Sequence, residues 1–133
     1  MTNHSKARGT AWESSVRDFL NEALGQYHPD WRQRREDGLS PFINPRDPNN
    51  ITRTVQTGAR DTGDLALWPA IGECKDEKEH DFPGYIRQAN REALAAGAEY
   101  GVAFVKKRRA NVADGYAVMD LRTFARVLAA LRR

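Results

Sequence analysis

The stretch TGDLALWPAIGECKD, residues 62–76, decides how the chain is read. Two short apolar runs meet at Pro69-Ala70, and a turn there folds them into a β-hairpin. Trp68 then faces Ile71, Ala66 faces Glu73, and Asp64 faces Lys75. Side chains alternate along a strand, so Asp64, Glu73 and Lys75 share one face. Leu65, Leu67 and Cys74 fall on the other, which is apolar enough to join a core. Directly opposite residues lie about 5 Å apart and diagonal ones about 7–8 Å. Two carboxylates at that spacing can hold one cation between them. The arrangement depends on register, because a one-residue slip sends each side chain of a strand to the other face. The plainer alternative is an exposed hairpin face of mixed charge, with Asp64 and Lys75 as an ordinary cross-strand pair.

A carboxylate pair beside a lysine suits phosphodiester hydrolysis. That reaction needs a cation to polarise the phosphate and to make a nucleophile from water. Magnesium takes oxygen ligands and often only one or two protein carboxylates, keeping water and phosphate for its remaining positions.

Upstream of the hairpin, Trp12, Val16, Phe19, Leu20 and Leu24 recur at helical spacing and predict a helix over 10–24. Thr10 is a suitable cap and Gly25 a suitable stop. Residues 31–36 (WRQRRE) read as a short strand. Residues 38–57 are rich in Pro, Asn and Gly, and a loop of that length in a small domain is usually functional or disordered. Downstream, Asp81 caps a helix with Pro83 in its first turn, ending near Ala96 at Gly97 or Gly101. Val102–Lys107 is an apolar strand with a basic tail, Asn111–Gly115 a turn, and Tyr116–Met119 another strand. Asp120 caps a last helix with apolar positions Leu121, Phe124, Val127, Leu128 and Leu131. The expected order is α-β-β-β-α-β-β-α, with no repeat or linker, so residues 1–133 are read as a single α/β domain.

The 133 residues carry a formal charge of +3 and one cysteine, Cys74. A lone cysteine excludes an intramolecular disulfide and any cysteine-rich zinc site. His4, His28 and His80 lack ligand-like spacing. No apolar run approaches the ~20 residues of a membrane span, and the polar start lacks a secretion signal. A soluble, cytoplasmic protein is the expectation. Basic residues concentrate in positions 1–60, with a second run at Lys106, Lys107, Arg108 and Arg109. Such clusters either track a phosphate backbone by displacing counterions or simply solvate the surface.

The arrangement Asp64…Glu73-Cys74-Lys75 resembles the core motif of the PD-(D/E)XK nuclease superfamily. The resemblance covers roughly residues 6–107. It implies a restriction-endonuclease-like mixed β-sheet flanked by helices, with an α-β-β-β-α-β core and here a C-terminal β-α. It implies Asp64 and Glu73 as ligands of Mg²⁺, with Mn²⁺ as a substitute, and Lys75 as the lysine that positions or activates water. Gly63 stands where many members have proline, which leaves the ligand role intact. The start Arg8-Gly9-Thr10-Ala11-Trp12-Glu13 is similar to the first helix of archaeal-type Holliday junction resolvases, homodimers that cut four-way DNA. This adds Glu13 to the metal site. Thr10-x-x-Glu13 is equally a capping box, so Glu13 has a structural reading as well.

The expected phosphate contacts are Lys6, Arg8, Arg34, Arg35, Arg46, Arg53 and Arg60. Asp61 is an accessory candidate or a turn former. Gln88 is an accessory candidate because several branches carry a glutamine there, although the tyrosine that follows four residues later in those branches is Glu92 in this chain. The expectation is a Mg²⁺-dependent endonuclease resolving branched DNA as a homodimer, of a self-contained size that would suit a bacteriophage. The alternatives are another nuclease of this fold (restriction, repair or nicking), a DNA-binding relative without chemistry, and an unrelated α/β binding module.

Overall fold

Trp12 and Val16, one helical turn apart, pack with Ile51, Leu65, Val102 and Phe104 in the main core. The Trp12 indole N–H also donates to the Phe104 carbonyl at 2.9 Å. This contact fixes the first helix across a β-sheet. The structure is a computed structural model that describes residues 3–55 and 63–133, with side chains from residue 8 onward. Arg60, Asp61 and the Lys6 side chain lie outside the described residues.

The elements run α1 (Asn3–Ala23), α2 (Trp31–Glu36), β1 (Thr52–Arg53), β2 (Leu65–Leu67), β3 (Ala70–Lys75), α3 (Phe82–Ala96), β4 (Tyr100–Val105), a 3₁₀ turn (Val112–Asp114), β5 (Tyr116–Val118) and α4 (Leu121–Leu131). The strands form one sheet in the order β1-β2-β3-β4-β5. Only the β3–β4 pair is parallel, and α3 makes its crossover. The chain is therefore mixed α/β, with a five-stranded mixed sheet between helices.

Alternation along β4 assigns the two faces. Val102 and Phe104 meet α1, while Ala103 and Val105 meet Tyr85 of α3. Gly101 allows α3 to settle on the sheet, since a Cβ there would stand 2.5 Å from the Ala89 carbonyl oxygen. Among the described residues, no helix is long and apolar enough to cross a membrane.

Four expectations change. The hairpin link is Trp68-Pro69, with a cis peptide bond between them, and the pairs are Leu65↔Gly72, Ala66↔Ile71 and Leu67↔Ala70. Moving the turn by one position shifts every pair by two, an even number, so each side chain keeps its predicted face. Ala70 is thereby released from the turn to pair with Tyr100 of β4. Second, α1 begins at Asn3 and runs through Thr10, because Lys6-Ala7-Arg8 are good helix formers that continue the helix upstream. Third, residues 31–36 are helical. Trp31 is the one buried residue of that segment and seats at 5.1 Å from the Tyr27 ring. One anchor shows no period, so nothing in the sequence separates this helix from the strand expected there. Fourth, the sheet's first strand is Thr52–Arg53, inside the segment read as loop.

That loop segment is held from α1. Asn21, fully buried, donates to the Ile51 carbonyl at 2.8 Å and accepts from the Ile51 N–H at 2.9 Å. One side-chain amide thus takes the place of a strand partner. The α3 cap at Asp81, its stop at Gly97 and the α4 cap at Asp120 stand as the sequence predicted.

Candidate active site

Four side chains singled out in the sequence form a chain of neighbours around the ends of β2 and β3: Glu13 beside Asp64, Asp64 beside Glu73, and Glu73 beside Lys75. Glu73 and Lys75 project from alternate positions of β3, with Lys75 Nζ 3.5 Å from Glu73 Oε1. Both are largely buried, at 7% and 18% side-chain exposure. Lys75 also lies over the Tyr85 ring, 5.6 Å from its centroid, so an aromatic face and a carboxylate hold its ammonium group.

Asp64 stands just before β2. Its N–H donates to the Gly72 carbonyl at 3.0 Å, and its Oδ2 accepts from the Cys74 N–H at 2.8 Å. The carboxylate is therefore pinned at the start of β2 against β3, where its charge reaches Glu13 and Glu73 alike. Gly63 makes this approach possible. Its φ is +90°, and a Cβ there would stand 2.3 Å from Ile71 Cγ2 and 3.2 Å from Glu92 Oε2. Proline, fixed near φ −65°, fails on both counts.

Glu13 comes from the middle of α1. Since α1 extends upstream of Thr10, that residue is not a cap, and the capping-box account of Glu13 falls away. Glu13 instead shares a hydrogen bond with Asp64, and Arg53 Nε lies 3.7 Å from its Oε2. Burial, followed by the charge of Asp64 and that hydrogen bond, raises the Glu13 carboxyl from 4.5 to about 7, against the opposing pull of Arg53 and Arg17.

Glu92 is the residue that the sequence reading missed. It lies on α3 with Tyr85, Ala89 and Ala93 in the buried stripe and is 3% exposed. A carboxylate interrupting an apolar helical stripe was the available signal. Gln88, one turn earlier, donates to Glu92 Oε1 at 2.9 Å, so its role is to orient Glu92. Burial, the contact with Glu92 and the charges of Asp64 and Glu92 push Glu73 up to about 10, with Lys75 opposing.

Glu73 Oε2 is buried and meets no N–H or O–H donor. Either a shared proton or a cation satisfies a carboxylate oxygen so placed. Among the described residues, no three Asp, Glu, His or Cys side chains are already disposed to ligate one ion. A magnesium site needs no such preformed cage, and the donor-starved oxygen of Glu73 together with Asp64 fits one. Cys74 is not a nucleophile here: burial and then the charges of Asp64, Glu13 and Glu73 push its thiol far up.

The expected phosphate contacts divide. Arg35 makes a two-pronged bond to Asp18 at 2.8 and 3.0 Å and lies over the Trp31 ring. Arg34 donates to the Ser40 carbonyl at 2.8 Å. Arg53 is held by Glu13, the Thr10 carbonyl and Ser14 Oγ, at the site's margin. Arg46 is exposed in the loop before β1, and Arg8 is exposed on α1. Comparison with protein-family models, with curated proteins and with solved structures gives no match.

Proposed function

We propose that this chain is a metal-dependent endonuclease of the PD-(D/E)XK, restriction-endonuclease-like kind, and that it resolves four-way DNA junctions as a homodimer. One observation carries the reading: Asp64, on the approach to β2, neighbours both Glu13 of α1 and Glu73 of β3, and Glu73 neighbours Lys75. The two-residue register change preserves that arrangement.

Asp64 and Glu73 are the residues that would hold Mg²⁺ or Mn²⁺, with Glu13 beside Asp64. When bound, the ion would supply positive charge at the phosphate and acidify a water. Lys75, its ammonium held by Glu73 and the Tyr85 ring, is positioned to orient that water and to stabilise charge on the phosphate. Glu92 fixes Glu73 from behind, and Gln88 fixes Glu92. Arg53 offsets the negative charge of Glu13. The complete Asp, Glu and Lys set favours an active nuclease over a DNA-binding relative without chemistry. The two-fold junction adds the dimer, since paired cuts call for two related sites.

The test is cleavage of a labelled four-way junction beside linear duplex and single strands, with Mg²⁺ or Mn²⁺. Junction cutting that Asp64→Ala abolishes is the expected result. Equal cutting of all three substrates would overturn the junction reading. No cutting with either ion, together with unchanged metal binding in Asp64→Ala, would overturn the nuclease reading.

A further inference from the structure

We infer that the cavity walled by Arg8, Lys78, Lys106, Arg108 and Arg109 holds the sugar-phosphate backbone of duplex DNA beside the cutting site. The inference rests on the nuclease reading for the identity of its polyanion. The cavity has a volume of about 700 Å³, and all five of its lining residues are cationic. They come from three parts of the chain: α1, the link after β3, and the turn after β4. Sequence proximity alone therefore does not explain the cluster.

The cavity adjoins the candidate active site through the backbone. Lys106 N–H donates to the Lys75 carbonyl at 2.9 Å, so the basic turn begins where the β3–β4 pairing ends. Asp76, one residue past Lys75, is 2% exposed at its side chain and lies 3.8 Å from Lys106 Nζ and 3.7 Å from Arg108. This buried carboxylate orients two cations of the wall, Lys106 and Arg108. Five cationic side chains lining one cavity suit a polyanion. Duplex DNA, with one charge per ~1.7 Å of axis, presents several phosphates to such a wall at once.

Arg109 supplies a separate observation. Its φ is 59°, the one non-glycine residue at positive φ among the described residues. Glycine takes that conformation without the Cβ penalty. An arginine in a conformation that suits glycine puts its charge on the cavity wall at a local conformational cost. Strain of this kind collects where a side chain has work to do. Of the five, only Arg8 was among the phosphate contacts expected from sequence. The run 106–109 was visible as a basic cluster, whereas Lys78 joins it only through the fold.

The experiment measures binding of a short labelled DNA duplex in EDTA across a salt series, for native protein, Arg109→Gly, Lys78→Ala and their double variant. Arg109→Gly relieves the backbone, so its melting temperature stays level or rises while DNA binding weakens. Each lost phosphate contact lowers the slope of log affinity against log salt by about 0.9, and the double variant loses up to twice that. Arg91→Ala, on the exposed side of α3, keeps the native slope. Native affinity and slope in the double variant, from a chain that still cuts DNA, would overturn the cavity assignment and leave the nuclease intact. Equal affinity for a polyglutamate peptide would overturn it as well. Slope lost in the double variant of a chain that does not cut with Mg²⁺ or Mn²⁺, and whose metal binding Asp64→Ala leaves unchanged, supports the assignment and removes the nuclease reading.

Discussion

Glu13 ties the site to acidity in a direction that can be worked out. Its carboxyl titrates at about 7 in the fold, against an ordinary 4.5, because burial, the charge of Asp64 and their shared hydrogen bond all favour the protonated form. Between those two values the folded chain holds a proton that the unfolded chain has released. Stability from this group is thus fully present below about 4.5 and lost as pH rises toward 7. Glu73, raised to about 10, continues the same trend to higher pH. Metal-free protein should therefore lose stability from pH 5 to pH 8 in denaturant titrations, and Glu13→Gln should flatten the part below pH 7. Added Mg²⁺ should stabilise more at pH 8 than at pH 5, because bound metal must displace those protons. A Glu13→Gln profile parallel to the native one would show that Glu13 is not held protonated.

At the scale of elements, Asn21 decides whether the long loop joins the sheet. Asn21→Ala leaves the N–H and C=O of Ile51, a residue 3% exposed, without their partners. Each unsatisfied buried group costs about 1–3 kcal/mol, so a loss of about 3 kcal/mol is expected from urea unfolding midpoints. A loss below about 1 kcal/mol would mean that water or a shifted backbone takes over. This contact also marks where the sequence stops being legible. Period-2 alternation placed Glu73 and Lys75 on one face independently of the turn, and caps and stops at Asp81, Gly97 and Asp120 were readable because they act locally. Asn21 bonding Ile51 thirty residues away leaves no local trace, so the sequence of β1 reads as loop. The start of α1 was missed because Thr10 imitates a cap, and that same imitation gave Glu13 its false structural explanation. Glu92 was visible as a charge in an apolar stripe, but only the position of β3 beneath α3 gives that charge a partner.

At the scale of the whole molecule, α4 leaves an apolar face uncovered among the described residues. In α4 the row predicted from sequence is present, yet the one buried residue of the helix, Thr123, is not part of it. Leu121 and Leu131 are 84% and 75% exposed, and Phe124 is 44% exposed. A row of this kind keeps apolar area in water, about 25 cal/mol for each Å² that a partner would cover. A two-fold pair can bury it, because an isologous contact sets the same patch against itself. The homodimer of the proposed function therefore makes a definite demand. Native protein should sediment at twice the 15.0 kDa chain mass. Leu121→Glu combined with Leu131→Glu should shift it toward the monomer while circular dichroism stays native, since neither side chain supports the core. Loss of the dimer should convert paired junction cuts into single nicks, because each chain carries its own Asp64, Glu73 and Lys75. A native chain that stays monomeric at every concentration, yet cuts both strands of a junction together, would separate the chemistry from the symmetry and remove the dimer from the proposal.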